Sequence, residues 1–245
     1  WLADVPHAAD RMTGPVAAIA MVLFLLPFLL LEKESGPAKK ATVGDGLREL
    51  RDTIREAWVT RPIRIFLIGR MFAADGMAVV FAFGAVLGAD AFGWSAGTLA
   101  IFGIAITVFG VIGGFLGSWL DSRIGTRRLV ILGLVIVMAG TASALLTDHT
   151  RLMGFTTGAP LGKPLSTPQE WGFIASGAVI ALGAAFAISA MRALMAMLAP
   201  EERSAAYFGL YALVGKAKAF VGPTLVGLVA AATGSVRWGV LVALL

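Results

Sequence analysis

The 245-residue sequence has no cysteine and only two histidines, His7 and His149. Disulfide frameworks, thiolate metal sites and cysteine nucleophiles are thereby excluded. Charge is scarce as well: 14% of residues are Asp, Glu, Lys or Arg, where a soluble globular chain carries about 25%. A membrane-embedded enzyme needs His, Asp or Glu gathered at one interface. Both histidines fall on outer segments with no carboxylate cluster sharing a helix face, so neither enzymatic chemistry nor a cofactor is expected. A channel would show rings of charge or a repeated filter segment, and neither is visible.

Hydrophobic residues fill what charge leaves: 58% of the chain, with a mean hydropathy of +0.85. They sit in runs of about twenty, a length that only a bilayer demands. The 30 glycines suit helices that pack closely in lipid. A net charge of +5 and a pI near 10.0 would point to nucleic acid in a soluble protein. Here the basic residues border the apolar runs, so they read as membrane topology and no nucleic-acid partner is expected.

Six spans follow from hydropathy: Gly14–Leu31, Ile63–Leu87, Ser95–Leu120, Leu129–Leu146, Trp171–Leu198 and Ala205–Ala232, with Pro223 inside the last. A seventh opens near Trp238 and is cut short. Trp1 is not an initiator Met and Leu245 lies inside an apolar stretch, so the chain reads as the C-terminal part of a longer protein. The third span carries Gly110, Gly113, Gly114 and Gly117, which leave a smooth helix face. Between the first two spans, Glu32–Pro62 is polar and basic. Within it Leu47, Leu50, Ile54 and Trp58 recur at helical spacing, an amphipathic helix for a membrane surface. A bundled cytosolic helix is the alternative.

Counting Lys and Arg by side gives Lys33, Lys39, Lys40, Arg48, Arg51, Arg55, Arg61, Arg64, Arg123, Arg127, Arg128 and Arg203 against Arg11, Arg151, Lys163 and Arg237. Twelve against four places Glu32–Pro62 in the cytoplasm; the membrane itself is expected to be of the bacterial inner or plasma type. The outer segment Gly158-Ala-Pro-Leu-Gly162-Lys163-Pro164 is similar to a phosphate-binding loop. Its glycine spacing is one short, however, and Pro stands where a hydroxyl residue belongs. It reads as a turn-rich loop.

Charged side chains at mid-bilayer cost several kcal/mol and face a cavity or a partner. Arg70 and Arg192 lie roughly 12–13 Å from the basic ends of their helices, and Asp75 and Lys216 roughly 18–21 Å in. Equal depth makes Asp75 with Lys216 the preferred pair, and sets Arg70 and Arg192 around an anion such as a solute carboxylate. Lys218 is about 200° round the helix from Lys216, so the two cannot face one cavity, and Lys218 is expected to snorkel or pack. Helix-to-helix glue without a role in transport is the plain alternative for all of these charges. Burial raises the pKa of a carboxylate and a neighbouring cation lowers it, so Asp75 would titrate as its partner moved.

The stretch GSWLDSRIGTRR, Gly117–Arg128, resembles the loop signature of the major facilitator superfamily. That resemblance implies a conformational latch from Asp121, Arg123, Gly125, Arg127 and Arg128; a plain basic turn is the alternative. The tracts Gly69–Trp94 and Phe208–Pro223 resemble the "unknown major facilitator" branch, which includes fungal vacuolar amino-acid effluxers tied to autophagy. Ser118 and Ser122 depart from that branch, leaving Asp121 as the only acid of the tract. The resemblance implies an all-α membrane fold, the second half of twelve helices. Residues 1–31 would then be the sixth helix, 32–62 the linker and 63–245 the C-terminal half. It further implies a secondary transporter for a small polar solute, working by alternating access with a missing N-terminal half. A solute receptor on the same scaffold is the competing expectation.

Overall fold

Apolar runs in a medium without water must satisfy their own backbone donors and acceptors, and a helix does so within one segment. The structure, a computed structural model, follows that rule; it describes residues 8–31, 42–157 and 164–241. Lys33, Lys39, Lys40, His7 and most of the Gly158–Pro164 loop lie outside the described residues. Trp1–Asp45 and Gly46–Leu245 form two units. The first holds α1, Ala8–Leu31, whose residues from Gly14 onward are almost all exposed. In that unit the turn into the next helix is fixed by Asp45, whose carboxylate accepts from the Thr42 N–H at 3.0 Å and from its hydroxyl at 2.6 Å.

Helix α2 (Val43–Val59) runs into the second unit, where α3 (Arg61–Phe92), α4 (Ala96–Ile124), α5 (Thr126–Leu145) and α6 (Pro168–Leu198) follow. After a short 3-10 turn, Glu201–Arg203, come α7 (Ser204–Ala217), α8 (Val221–Thr233) and α9 (Val236–Leu241). Six segments among the described residues are long and apolar enough to cross a membrane, in agreement with the six spans expected. Their boundaries differ in two instructive places. The third span, α4, runs on through Asp121, Ser122 and Arg123, and α5 already begins at Thr126, so the basic tract is two helix ends rather than a loop. Gly125 alone joins α4 to α5, at φ 84° and ψ 148°, a conformation open essentially to glycine. The sixth span is two helices, broken at Lys218–Phe220.

The central element is α6, with 67% of its most apolar stretch buried. Small residues make that possible: Gly177, Ala178, Ala181, Gly183, Ala184, Ala187 and Ala190 are all buried. A Cβ on Gly133 of α5 would stand 2.6 Å from the Gly183 carbonyl and from the Ala187 nitrogen, and one on Gly183 would stand 2.8 Å from the Gly133 carbonyl. On α4, Gly113 and Gly117 meet α6 in the same way, whereas Gly110 and Gly114 face open space. Only half of the smooth face expected on that helix is therefore used within the described residues.

At the end remote from the basic tracts, one carboxylate organises the connections. Glu170 completes a capping box with Thr167 at the start of α6. It also accepts from Trp94 Nε1 at 2.9 Å and from the Leu165 and Ser166 N–H groups at 3.0 and 3.1 Å. Trp94 in turn packs among Phe92, Phe102 and Phe173. The segment after α5 is not shapeless: β1 (Arg151–Leu152) and β2 (Phe155–Thr156) form a hairpin, with Met153 and Gly154 both at positive φ. Asp148 holds its base, accepting from the Thr150 and Arg151 N–H groups at 2.8 and 3.0 Å, and pairs with Arg237 of α9 at 3.2 Å.

Gly133→Ala is expected to lower stability by about 1–3 kcal/mol, because its Cβ meets backbone that cannot rotate away. Gly114→Ala, with nothing near it, should leave thermal unfolding in detergent unchanged. Burial pushes the Asp148 carboxyl up, but hydrogen bonds from Thr150, the Arg237 charge and the Arg151 N–H together hold it below its ordinary value. Its contribution is thus present above the ordinary carboxylate range and lost as pH falls through the folded-state value. The gap in melting temperature between wild type and Asp148→Asn should be constant near neutrality and close below about pH 4.

Candidate functional site at the break between α7 and α8

The break follows from Pro223. Proline has no N–H, and its ring collides with the carbonyl four residues earlier, which is that of Ala219. The backbone yields just before it. Val221 N–H donates to the Lys218 carbonyl at 2.8 Å, a tight turn from which α8 starts afresh. A new helix start leaves N–H groups without intrahelical partners. One of them, on Gly222, donates to Asp75 Oδ1 of α3 at 3.2 Å. An acid near the middle of one membrane helix therefore caps the start of another, where the partial positive charge of the helix end favours it. Gly222 permits the approach: a Cβ there would sit 2.5 Å from Val79 Cγ2 and 3.0 Å from Asp75 Oδ1.

The other Asp75 oxygen faces Lys218, with Nζ 3.9 Å from Oδ2. That is an ion pair without a hydrogen bond. The same ammonium lies 3.9 Å from the centre of the Phe72 ring, a cation–π contact. The two charges line a cavity of about 410 Å³ whose other walls are apolar, including Met77, Leu134, Met138 and Leu225. Their side chains remain 13% and 26% exposed, open enough to be reached from the cavity.

This corrects the expected pairing. Lys216 is exposed and Lys218 is the partner of Asp75. The two lysines do diverge, as the helical wheel requires, but the turn at 218–220 swings the later one inward. Arg70 and Arg192 are not brought together around an anion position. Arg192 is exposed on α6. Arg70 lies against α7, its Cζ 4.7 Å from the centre of the Tyr211 ring and its Nη2 3.1 Å from where a Gly215 Cβ would be. Arg70 Nε and the Tyr211 hydroxyl are buried without a hydrogen-bond partner among the described residues.

The basic tract shows no closed latch among the described residues. Arg123 stacks on Trp119 at 4.0 Å, Arg127 and Arg128 are exposed, and Asp121 Oδ1 is buried with no hydrogen-bond partner among the described residues. Gly125 forms the turn between α4 and α5, its N–H donating to the Asp121 carbonyl at 3.0 Å. Sequence reasoning missed Lys218, Gly222 and Tyr211 as site residues. The Gly222-Pro223 pair inside an apolar run was the available signal for the first two.

The sequence profile of the family described as "Vacuole effluxer Atg22 like" matches residues 11–245. The chain belongs to this family. Its resemblance to the vacuolar effluxer branch is thereby borne out, and the family is one of membrane transporters. Among curated proteins, this Atg22-like chain is 30% identical over 200 residues to autophagy-related protein 22-1 of Aspergillus clavatus, covering 80% of the chain and 32% of that protein. It is 28% identical to autophagy-related protein 22-2 of Neosartorya fischeri, with 80% and 31% covered. For autophagy-related protein 22 of Yarrowia lipolytica the identity is 25%, with 78% and 31% covered. The chain thus spans about a third of the length of these relatives. No solved structure matches it. An integral membrane protein is supported; the fungal vacuolar relatives lend no support to the bacterial-type membrane expected from sequence.

Removing one member of a buried ion pair strands the other charge. Lys218→Met is expected to cost roughly 2–3 kcal/mol, below the full range because the lysine is partly exposed. Lys216→Met should cost little. Asp75→Asn combined with Lys218→Met should recover much of the single-variant loss, measured as a double-mutant cycle on thermal unfolding.

Proposed function

We propose that the Asp75–Lys218 pair is the solute site of a secondary transporter, and that its solute is a small zwitterion such as an amino acid. The observation that supports this reading is one acid and one base, 3.9 Å apart, in an otherwise apolar cavity. A solute carrying one charge would take one member of the pair and strand the other in low dielectric, at a cost of several kcal/mol. A zwitterion exchanges both at once: its ammonium takes Asp75, and its carboxylate takes Lys218 beside the start of α8, where the positive end of the helix favours an anion. Asp75 and Lys218 each keep a partner throughout, so the site opens without a large barrier. Apolar walls then favour an apolar solute side chain.

The bundle works with a second, N-terminal half, rocking about the site in alternating access as carriers of this kind do. The arginine-rich end faces the cytoplasm, and the basic tract from Asp121 to Arg128 latches against the other half, which offers Asp121 the partner it lacks. Coupling to protons runs through Asp75: a proton on its carboxyl frees Lys218, and loss of that proton restores the pair. Arg70 and Arg192 have positioning rather than binding roles in this scheme.

The test is flux through proteoliposomes holding the full-length parent, loaded with a metabolite mixture, with and without a pH gradient. Release of zwitterionic solutes is expected to exceed that of singly charged analogues. Lys218→Met should abolish it, and Asp75→Asn should abolish its dependence on the gradient. Bound solute with no flux would establish a receptor instead.

A further inference from the structure

The apolar stripe of α2 has no partner among the described residues of the second unit. Leu47, Ile54 and Trp58 are 63%, 41% and 60% exposed. At about 100° per residue they fall within roughly 40° of one another round the helix. The opposite situation holds one quarter-turn away: Thr53 and Ala57 are buried, and Thr53 accepts from Arg203 Nη2 at 2.8 Å. Glu56 pairs with the same arginine. The helix is thus already docked on the bundle by one face, and the apolar stripe lies beside that face rather than beneath it.

On the other flank of the stripe come Arg51, Arg55 and Arg48, over the next ~80° of rotation. All three are exposed, and none has an ion-pair partner among the described residues. The acids Asp45, Glu49, Asp52 and Glu56 gather on the far side, about 120–180° from the stripe. The order round the helix is therefore bundle, apolar, basic, acidic. A cytosolic protein surface gives no reason for such an order. A bilayer edge does: acyl chains meet the apolar stripe, anionic headgroups meet the arginines, and Asp45, Glu49 and Asp52 point to water while Glu56 closes the circle on Arg203.

Continuity with α3 fixes the level. Only Thr60 separates α2 from α3, and Arg64 of α3 donates to the Trp58 carbonyl at 2.9 Å. The stripe therefore begins at the depth where a membrane-crossing helix enters the bilayer. We infer that α2 is an interfacial helix that recognises anionic phospholipid, with Leu47, Ile54 and Trp58 seated among acyl chains and Arg48, Arg51 and Arg55 on headgroup phosphates.

The absence of cysteine makes Leu47→Cys a unique attachment point for a fluorophore. Leu47 lies about 18 Å along the helix from Val59, so a probe there reaches lipid only if α2 lies flat. The labelled full chain would be placed in nanodiscs of phosphatidylcholine, alone or mixed with phosphatidylserine, with nitroxide-bearing lipid as quencher. Lipid quenching is expected to rise several-fold with phosphatidylserine. Each arginine near an anionic surface contributes roughly fivefold to binding, so Arg48→Gln/Arg51→Gln/Arg55→Gln should abolish the rise while leaving thermal unfolding unchanged. Asp52→Asn should keep it. Equal quenching in both lipids, or a rise that survives the triple variant, would overturn the proposal. So would a probe shielded from lipid and from aqueous iodide alike, which would show a protein surface covering the stripe.

Discussion

The close approach of α5 and α6 at Gly133 and Gly183 is the constraint from which the rest of this bundle follows. Lipid tails are as apolar as leucine, so burial of hydrocarbon does little to drive one membrane helix onto another. Attraction must come from dispersion between atoms in contact, which falls steeply with any gap. Two glycines facing each other bring carbonyls and Cα atoms within reach, and a single methyl on either would stand under 3 Å from backbone. Once that seam is closed, α6 has faces left for α4, through Gly113 and Gly117, and for α3 and α7. The helix of smallest side chains becomes the axis because it alone admits neighbours on so many sides.

The same absence of water dictates the site. A broken helix in hydrocarbon exposes N–H groups that nothing in the surroundings can satisfy. Asp75 answers one of them, through Gly222, and its charge is answered by Lys218. Each element makes sense only with the others. Without Pro223 there is no break and no free N–H; without Asp75 the break is unsatisfied; without Lys218 the acid is a lone charge. A soluble protein could leave any of these to solvent. Here the three form a unit that is stable when closed and, since the pair lacks a hydrogen bond at 3.9 Å, not locked.

The spans were legible because a bilayer imposes a length that hydropathy reports directly, and the basic residues clustered where helices end. Asp75 was legible for the same reason: an acid in an apolar run has to be answered. Which lysine answers it was not. The wheel that set Lys216 toward the cavity assumes one continuous helix, and Lys218 sits on the turn where that assumption fails. Glu170 shows a different limit. Its capping box, Thr167-Pro-Gln-Glu170, is a local pattern, but its bond to Trp94 joins residues far apart in the chain, and no local pattern reports that. The hairpin after α5 was hidden because two-residue strands carry too few alternations to register as a period.

The placement of α2 connects these observations to movement. Arg203 is held by Thr53 and Glu56 of α2, and it immediately precedes α7. That helix runs from the arginine to the break at Lys218. A helix seated on headgroups by its apolar and basic faces is a fixed point at the bilayer surface. The arginine then ties the start of α7 to that point, while α8, beyond the break, is free of it. Any change at the Asp75–Lys218 pair therefore has to be absorbed at the turn between α7 and α8, since the other end of α7 is anchored. The break interrupts the hydrogen-bond ladder of the span, and the two charges that line the cavity meet beside it. Under the exchange of partners proposed for this site, a hinge placed there would turn a local event into a change in the angle between two halves of one membrane span.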